Sequence, residues 1–192
     1  MSKIVLMMGV SLDGYIEGPD HDISWHRVDE ELHQHLNNEV RGYGALLSGR
    51  RVYELMADYW PTADADPNAS AITSEFAAIW RDIPKVVYSR TLERAEWNAT
   101  VVRDVVPEEV RALKERSKRD LGLGGAEVAG EFLRLGLVDA YSICVHPVVV
   151  GRGRKLFPEG DIAASLRLVE SRTFGNGVVQ LRYERSDTGG AS

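Results

Sequence analysis

Apolar residues follow two kinds of spacing along the chain. Short unbroken runs closed by glycine or polar residues predict buried strands, and they occupy Lys3–Val10, Ala45–Ser48, Pro84–Tyr88 and Asp120–Leu123. Between the first two runs, Val28, Leu32, Leu36 and Val40 recur every four residues. This spacing predicts one face of a helix of about four turns, which the glycines at positions 42 and 44 end.

Four further helices are predicted, each from a residue typical of a helix start or end. Gly49 is followed by a helical stretch over 50–57, and Ser74 can cap a helix that carries Phe76, Ile79 and Trp80. Pro107 suits a first helical turn. A last helix is predicted over 126–135, where Gly136 can terminate it.

The remaining segments predict loops and antiparallel strands. The stretch 61–71 is rich in Asp, Ala, Pro and Ser and predicts a mobile surface loop. Val101 and Val102 suggest a further brief strand, between those at 84–88 and 120–123. The segment 138–150 is an extended apolar run broken by Pro147. Two strands, 166–173 and 178–183, flank a Gly-Asn-Gly turn and predict a hairpin.

Strands alternate with helices over the first two thirds of the chain, and the chain ends in an antiparallel pair. This order predicts an α/β domain with a mixed, mostly parallel central sheet and helices on both faces. We expect one domain over residues 1–185 and a disordered polar tail over 186–192.

Composition narrows the class of protein. The 192 residues include 23 basic and 29 acidic side chains, a formal charge of −6, which disfavours a broad nucleic-acid surface. One cysteine, Cys144, lies in an apolar run and excludes a disulfide framework or a cysteine zinc site within one chain; we expect a buried, inert thiol. The histidines show no convincing metal-site spacing. The chain shows no signal peptide and no apolar run near the roughly 20 residues that span a bilayer, so we expect a cytoplasmic protein without a membrane segment.

Donor-rich loops follow three predicted strands, at the edge where open α/β sheets bind ligands. The first is Gly49-Arg50-Arg51. Two arginines at a helix N-terminus oppose the helix dipole, and an anion there would relieve the conflict. The alternative is a pair of solvated arginines after a tight turn.

The second loop, Ser89-Arg90-Thr91, offers two hydroxyls and a guanidinium, which suit a ribose 2′-phosphate. A polar turn without a ligand would look the same. The third, Gly124-Gly125-Ala126-Glu127, exposes backbone N–H groups at a helix N-terminus. Glu127 stands where the dinucleotide fingerprint has its third glycine, so a standard Rossmann domain is not supported. Together the three loops favour an extended ligand with several phosphates.

The ordered set of motifs resembles the dihydrofolate-reductase-like superfamily, and specifically the C-terminal reductase domain of the bifunctional riboflavin-biosynthesis deaminase-reductase (RibD). The resemblance runs from Lys3 to about Arg185. Its markers are Ser11-Leu12-Asp13-Gly14-Tyr15-Ile16, Ile23-Ser24-Trp25, Gly49-Arg50-Arg51-Val52-Tyr53-Glu54, Tyr59-Trp60-Pro61, Lys85 to Leu92, Gly124 to Glu127, Gly136-Leu137-Val138-Asp139, His146 to Gly153 and Lys155-Leu156-Phe157.

This resemblance implies a three-layer fold with a sheet of about eight strands, NADPH as hydride donor, and often a homodimer. By position, the pyrophosphate would be held by Gly49, Arg50 and Arg51, and the adenosine 2′-phosphate by Ser89 and Arg90. The nicotinamide ribose and diphosphate would lie over Gly124, Gly125, Ala126 and Glu127. The segment 13–16 would lie by the nicotinamide, and Trp25 would border the substrate pocket.

The chain departs from that family in two ways. Val52 stands where the family usually has threonine, which removes one hydroxyl from the phosphate site. The zinc deaminase half is absent, since the sequence has no Pro-Cys-x-x-Cys motif. Reduction of a ribosylaminopyrimidine, the riboflavin-pathway step, is therefore only a family-level expectation.

Three carboxylates are candidates for the proton donor of a reductase: Asp13, Asp29 and Glu30. Asp29 and Glu30 follow Trp25 as a carboxylate follows a comparable tryptophan in dihydrofolate reductases. The alternatives are a helix-dipole role for these two and a turn-forming role for Asp13.

The expected substrate pocket comprises Tyr15, Trp25, His146 and Arg152. His146 also fits a structural histidine, and Arg152 also fits a solvated basic loop. The leading hypothesis is an NADPH-dependent reductase of a small heterocyclic or carbonyl substrate. The alternative is a non-catalytic ligand-binding protein on the same scaffold.

Overall fold

A computed structural model describes residues 1–160 and 162–186. Except for Ser186, the tail predicted to be disordered lies outside the described residues. The backbone N–H of Ser186 donates to the carbonyl of Ser165 at 3.0 Å.

Among the described residues, eight strands form one mixed sheet. The alternation of elements predicts the mixed sheet, and the resemblance predicts the number of about eight strands. The spatial order of the sheet is β5-β4-β3-β6-β1-β7-β10-β9, and a separate two-stranded sheet pairs β2 with β8. Neighbours from β5 to β7 are parallel, whereas β10 is antiparallel to both β7 and β9. The strands are β1 (Ile4–Ser11), β2 (Tyr15–Glu17), β3 (Ala45–Gly49), β4 (Lys85–Tyr88), β5 (Ala99–Val102), β6 (Leu121–Gly124), β7 (Ala140–His146), β8 (Arg154–Lys155), β9 (Leu166–Thr173) and β10 (Val179–Arg185).

Within the described part of the chain, five α-helices and two short 3-10 helices connect the strands. The helices are α1 (Glu30–Gly42), α2 (Arg50–Tyr59), α3 (Ala71–Asp82), α4 (Pro107–Arg116) and α5 (Ala126–Arg134). Pro107 occupies the first turn of α4, and Gly136 follows α5 with φ of 66°, as expected of a glycine past a helix end. The predicted strands and the C-terminal hairpin are confirmed to within a few residues.

The alternating side chains of β1 supply both faces of the core. Ile4 and Leu6 point into a cluster with Val110 of α4 and Phe132 of α5, while Val5 points into a second cluster with Trp80 of α3. All six side chains are at least 96% buried. Burial of each large apolar side chain stabilises the fold by roughly 1.5–3 kcal/mol. Apolar packing on both faces therefore holds the sheet between the helices.

The third apolar cluster packs α1 against the C-terminal hairpin. It contains Leu32 of α1, Cys144 of β7, and Phe174 and Val178 of the turn region. Burial raises the pKa of the Cys144 thiol to about 12, so the thiol stays protonated and inert at neutral pH, as expected from its apolar surroundings.

Three local predictions are wrong. Val28 precedes α1 and is half exposed, because Asp29 begins the helix as its N-cap. Ser70 rather than Ser74 caps α3; its hydroxyl accepts from the Thr73 N–H at 3.0 Å. The loop predicted over 61–71 is partly a 3-10 helix, Trp60–Ala65, and Pro61 and Ala63 are buried. The proline and alanine that suggested a loop instead pack beneath α3.

The parallel strands place the carboxyl ends of β1, β3, β4, β6 and β7 along one edge of the sheet. Ligands of open α/β sheets bind at this edge. No helix among the described residues is long and apolar enough to cross a membrane.

Ser70→Ala tests the corrected start of α3. The substitution removes an N-cap hydrogen bond and is expected to lower the free energy of unfolding by about 1 kcal/mol. Ser74→Ala, one turn further along, is the matched control and should change it by less than about 0.5 kcal/mol. Urea denaturation followed by circular dichroism measures both; a larger loss at Ser74 would contradict the assignment.

Candidate functional site

Two adjoining recesses open at the carboxyl edge of the sheet. The inner cavity has a volume of about 180 Å³, and six apolar side chains dominate its wall: Met8, Ile16, Ile23, Val52, Leu55 and Val128. The outer cleft is larger, about 890 Å³, and its wall carries four arginines: Arg50, Arg51, Arg90 and Arg103. The two recesses share Gly49, Arg51, Glu127 and Val128 and therefore form one continuous site.

The N-termini of α2 and α5 meet where the two recesses join. The N-caps, Gly49 and Gly125, have no side chain and make no side-chain cap hydrogen bond. A Cβ built on Gly125 would lie 4.0 Å from the Gly49 nitrogen. Two first turns therefore direct uncapped N–H groups and positive dipole ends at one place, an arrangement that favours a bound anion.

The position of Gly125 accommodates only a residue without a side chain. Its φ is 92°, and an added Cβ would lie 2.9 Å from Cγ2 of Val52. Its N–H points to the sulfur of Met8 at 3.3 Å. Gly49 differs, because its φ is −80° and nothing lies within 4 Å of an added Cβ. The backbone at Gly125 is thus fitted tightly under α2, while Gly49 borders open space.

The loop after β4 is already organised around Ser89. The Ser89 side chain is 92% buried, and its Oγ accepts from the backbone N–H of Leu92 at 2.9 Å and of Thr91 at 3.3 Å. No acceptor for the Ser89 hydroxyl proton lies among the described residues. Arg103 donates to the carbonyls of Ser89 and Leu92. Arg90 is exposed and pairs with Asp104 at 2.6 Å.

The structure brings together eight of the nine residues that we predict to hold a cofactor: Gly49, Arg50, Arg51, Ser89, Arg90, Gly125, Ala126 and Glu127 line one or both recesses. Gly124 is the last residue of β6, one position behind the wall. Their roles as cofactor ligands remain a prediction, but the required proximity is present.

The three candidate proton donors lie outside both recesses, and two of them, Asp13 and Asp29, make hydrogen bonds within the chain. The Asp13 carboxylate accepts from the Ser11 hydroxyl at 2.6 Å and from the Gly151 N–H at 2.7 Å. The Ser11 hydrogen bond, aided by backbone N–H groups, lowers the Asp13 pKa to about 2, so this group is ionised at neutral pH and has no proton to donate. Asp29 caps α1 by accepting from the Leu32 N–H at 2.9 Å. Glu30 is an exposed residue of the first turn of α1.

The four residues predicted for a substrate pocket lie beside the inner cavity rather than in its wall. Tyr15 donates from its hydroxyl to the Gly151 carbonyl at 3.4 Å. Trp25 donates from Nε1 to the Asp22 carbonyl at 3.1 Å. Arg152 is exposed on the loop that leads to β8. Their roles as substrate contacts remain a prediction.

His146 is buried and hydrogen-bonded within the chain, which favours the alternative of a structural histidine. It is 98% buried, and its Nδ1 accepts from the backbone N–H of Arg27 at 3.0 Å. Its ring stacks on His26 with centroids 4.7 Å apart. Burial, followed by the charges of His26 and Arg27, lowers the His146 pKa to about 4, so His146 is neutral at pH 7.

Sequence reasoning missed His26 as a wall residue of the inner cavity. Nε2 of His26 is buried and has no hydrogen-bond partner among residues 1–160 and 162–186. Burial lowers the His26 pKa, against a hydrogen bond to the Ile16 backbone that raises it. His26 directly follows Trp25, which the family resemblance places at the substrate pocket, and this position could have indicated it. A single histidine in a loop has no characteristic spacing from which a site could be predicted.

Sequence reasoning also missed an ion-pair bridge across the inner cavity. Arg154 of β8 donates from Nε to Glu17 of β2 at 3.0 Å and from Nη1 to Glu127 of α5 at 2.9 Å. The guanidinium therefore joins the small β2–β8 sheet to the first turn of α5. The three residues lie far apart in sequence, so only the fold shows the contact.

Most of the chain matches the model of a protein family. The model of the RibD C-terminal domain matches residues 2–180. The chain belongs to this family. A relative from Bacillus subtilis strain 168, the uncharacterized protein YyaP, is 34% identical over 182 residues, which cover 94% of each chain.

Solved structures share the fold. The bifunctional diaminohydroxyphosphoribosylaminopyrimidine deaminase/5-amino-6-(5-phosphoribosylamino)uracil reductase of Thermotoga maritima aligns with a TM-score of 0.66 at 17% identity, over 96% of this chain and 57% of that one. The dihydrofolate reductase of Enterococcus faecalis, solved with NADP(H), aligns with a TM-score of 0.65 at 16% identity, over 96% and 97% of the two chains. The dihydrofolate-reductase-like fold is therefore confirmed.

Gly125→Ala tests the tight fit between α2 and α5. The positive φ and the clash with Val52 should together lower the free energy of unfolding by about 2–4 kcal/mol. Gly49→Ala is the matched control, because its backbone is extended and its Cβ meets open space; it should change stability by less than about 0.5 kcal/mol. Thermal and urea unfolding measure both variants, and equal stabilities would contradict the packing described.

Proposed function

We propose that the protein is an NADPH-dependent reductase of a small heterocyclic or carbonyl substrate, related to the uracil reductase of riboflavin biosynthesis. The observation that carries this proposal is the junction of the two recesses. Two uncapped helix N-termini converge between an arginine-rich cleft and an apolar cavity. A dinucleotide has that sequence of parts: a phosphorylated ribose, a diphosphate and an uncharged ring.

The residues present fit the diphosphate. Gly49 and Gly125 leave the first turns of α2 and α5 open to a ligand, and Arg51 lines both recesses. Backbone N–H groups at helix N-termini together with a guanidinium bind phosphate oxygens well. Val52 supplies no hydroxyl here, so backbone groups carry this part of the site.

The outer cleft fits the phosphorylated ribose. The Ser89 hydroxyl proton meets no acceptor within the described part of the chain, and Arg90 extends into solvent beside it. A 2′-phosphate would compete with the Asp104 carboxylate for the Arg90 guanidinium, which binds phosphate in a bidentate manner. The structure thereby supports a preference for NADPH over NADH.

The cofactor supplies the hydride, two electrons with one proton, when it is bound. The protein positions the bound cofactor and keeps water away from it. Apolar side chains such as Met8, Ile16 and Val52 keep water from the inner cavity, and the Arg154 bridge ties the β2–β8 sheet against α5. Asp13 lies outside both recesses, and its carboxylate accepts from Ser11 and Gly151, so we assign the proton to solvent.

We also propose that the protein works in the cytoplasm as a homodimer, without nucleic-acid or membrane partners. The family resemblance supports the homodimer, and the formal charge of −6 disfavours nucleic acid. These proposals do not bear on the chemistry of the site.

A second candidate function is non-catalytic binding of a ligand on the same scaffold. Two observations favour it: the candidate carboxylates lie outside the recesses, and Val52 replaces a hydroxyl. Turnover separates the two functions. Oxidation of NADPH with any of a panel of pterins, ribosylaminopyrimidines and simple carbonyls excludes the non-catalytic alternative, whereas tight binding without turnover supports it.

Selective NADPH binding tests the cofactor proposal. NADPH should quench tryptophan fluorescence at a lower concentration than NADH. Arg90→Gln should weaken NADPH roughly tenfold, since a charge-assisted hydrogen bond contributes about 1.5–3 kcal/mol, and should leave NADH unchanged. Arg111→Gln on α4, outside both recesses, is the matched control. Equal affinities for the two cofactors, or none for either, would refute the proposal.

A further inference from the structure

A carboxylate lies at the junction where we propose that the diphosphate binds. Glu127 follows Gly125 and Ala126 in the first turn of α5 and lines both recesses. Without a ligand, its negative charge complements the positive end of the helix dipole. A diphosphate bound at the same helix end would face a like charge, which disfavours binding. The proposed cofactor site therefore requires a cation that neutralises Glu127.

The cation that pairs with Glu127 is Arg154. Its Nη1 donates to Oε1 of Glu127 at 2.9 Å, and no other basic side chain among residues 1–160 and 162–186 pairs with this carboxylate. Arg51 also lines both recesses, but it has no carboxylate partner within the described part of the chain. The two arginines therefore differ, since Arg51 is available to a phosphate and Arg154 is already paired.

The small β2–β8 sheet holds Arg154 in this position. Arg154 and Glu17 are register partners across the two strands, and Nε of Arg154 donates to Oε1 of Glu17 at 3.0 Å. The Glu17 side chain is 16% exposed, whereas that of Glu127 is 75% exposed. An ion pair as exposed as that of Arg154 with Glu127 contributes little to the stability of the fold. Its position at the junction points instead to an effect on ligand binding.

We propose that Arg154 is a positioning residue for the cofactor, because it neutralises Glu127 and so lets the first turns of α2 and α5 accept a diphosphate. This inference rests on the proposed reductase function and adds a residue to its cofactor site. Arg154 acts through Glu127 and does not itself contact the phosphate. The summed charge of these two side chains then sets the affinity for the diphosphate.

Isothermal titration calorimetry with NADP⁺ at low ionic strength tests the inference through three variants. Arg154→Gln leaves the charge of Glu127 unpaired and should weaken NADP⁺ binding about fivefold, the upper end for exposed charge pairs. Glu127→Gln leaves the charge of Arg154 unpaired and should tighten binding about twofold or more. The double variant removes both charges and should bind within about twofold of the unsubstituted protein. Arg111→Gln, which breaks an ion pair on α4, is the matched control.

Two other roles of Arg154 predict different results. If the ion pair only fastened the β2–β8 sheet to α5, breaking it from either side would weaken NADP⁺ binding, and the double variant would stay weak. If Arg154 bound the phosphate directly, the double variant would be as weak as Arg154→Gln. Salt gives a further readout, because the loss in Arg154→Gln should largely disappear at about 0.5 M NaCl, whereas a packing defect would persist.

Three results would overturn the proposal in variants that circular dichroism shows to be folded: unchanged NADP⁺ affinity in Arg154→Gln, weakened affinity in Glu127→Gln, or a double variant as weak as Arg154→Gln. Inorganic pyrophosphate is a separate probe, since it lacks the nicotinamide and both riboses. Pyrophosphate binding with the same order of affinities, but without NADP⁺ binding, would refute the reductase function and support the present inference. Binding of neither probe by the unsubstituted protein would overturn both.

Discussion

The N-termini of α2 and α5 meet because β3 and β6, the strands that lead into them, lie side by side in the sheet. Ser48 of β3 pairs with Gly124 of β6. The residues that follow them, Gly49 and Gly125, are the N-caps of α2 and α5, so the two helices begin side by side. The contact is close because Gly125 has no side chain and Val52 packs over it. Two positive dipole ends are thereby fixed at one point. The cleft with its arginines and the apolar cavity are arranged on either side of this junction.

Charge is divided unevenly between the two recesses. In the outer cleft, Arg50 and Arg90 pair with exposed carboxylates, Glu54 and Asp104. Surface ion pairs of this kind are weak, so a phosphate can displace the carboxylate at little cost. In the inner cavity, by contrast, the Arg154 guanidinium donates hydrogen bonds to the carboxylates of both Glu17 and Glu127. The first arrangement suits an anionic ligand and the second an uncharged one. The division corresponds to the two ends of a nicotinamide cofactor with its substrate.

The fold could be predicted from the sequence to a large extent because its signals are local. Short apolar runs define the parallel strands, and the Gly-Asn-Gly turn defines the hairpin. The phosphate-binding loops could be located because they directly follow strands whose ends must share one edge. Element boundaries were harder to predict, because neighbouring residues fit the same role. Ser70 and Ser74 are both plausible caps of α3, and only packing selects Ser70. The proton donors could not be predicted, because the same carboxylate serves a cap at Asp29 or a turn at Asp13 once its neighbours are known. His26 and the Arg154 bridge depend on contacts between distant segments, which no spacing in the sequence reveals.

The position of the diphosphate tests the central claim most directly, since the whole account depends on what the two helix N-termini bind. A crystal structure of the protein with NADP⁺ measures it. The account predicts that the diphosphate oxygens accept hydrogen bonds from backbone N–H groups in the first turns of α2 and α5, with the 2′-phosphate against Ser89 and Arg90. A diphosphate bound away from both helix N-termini, or an adenosine phosphate outside the cleft beside Ser89, would contradict the account.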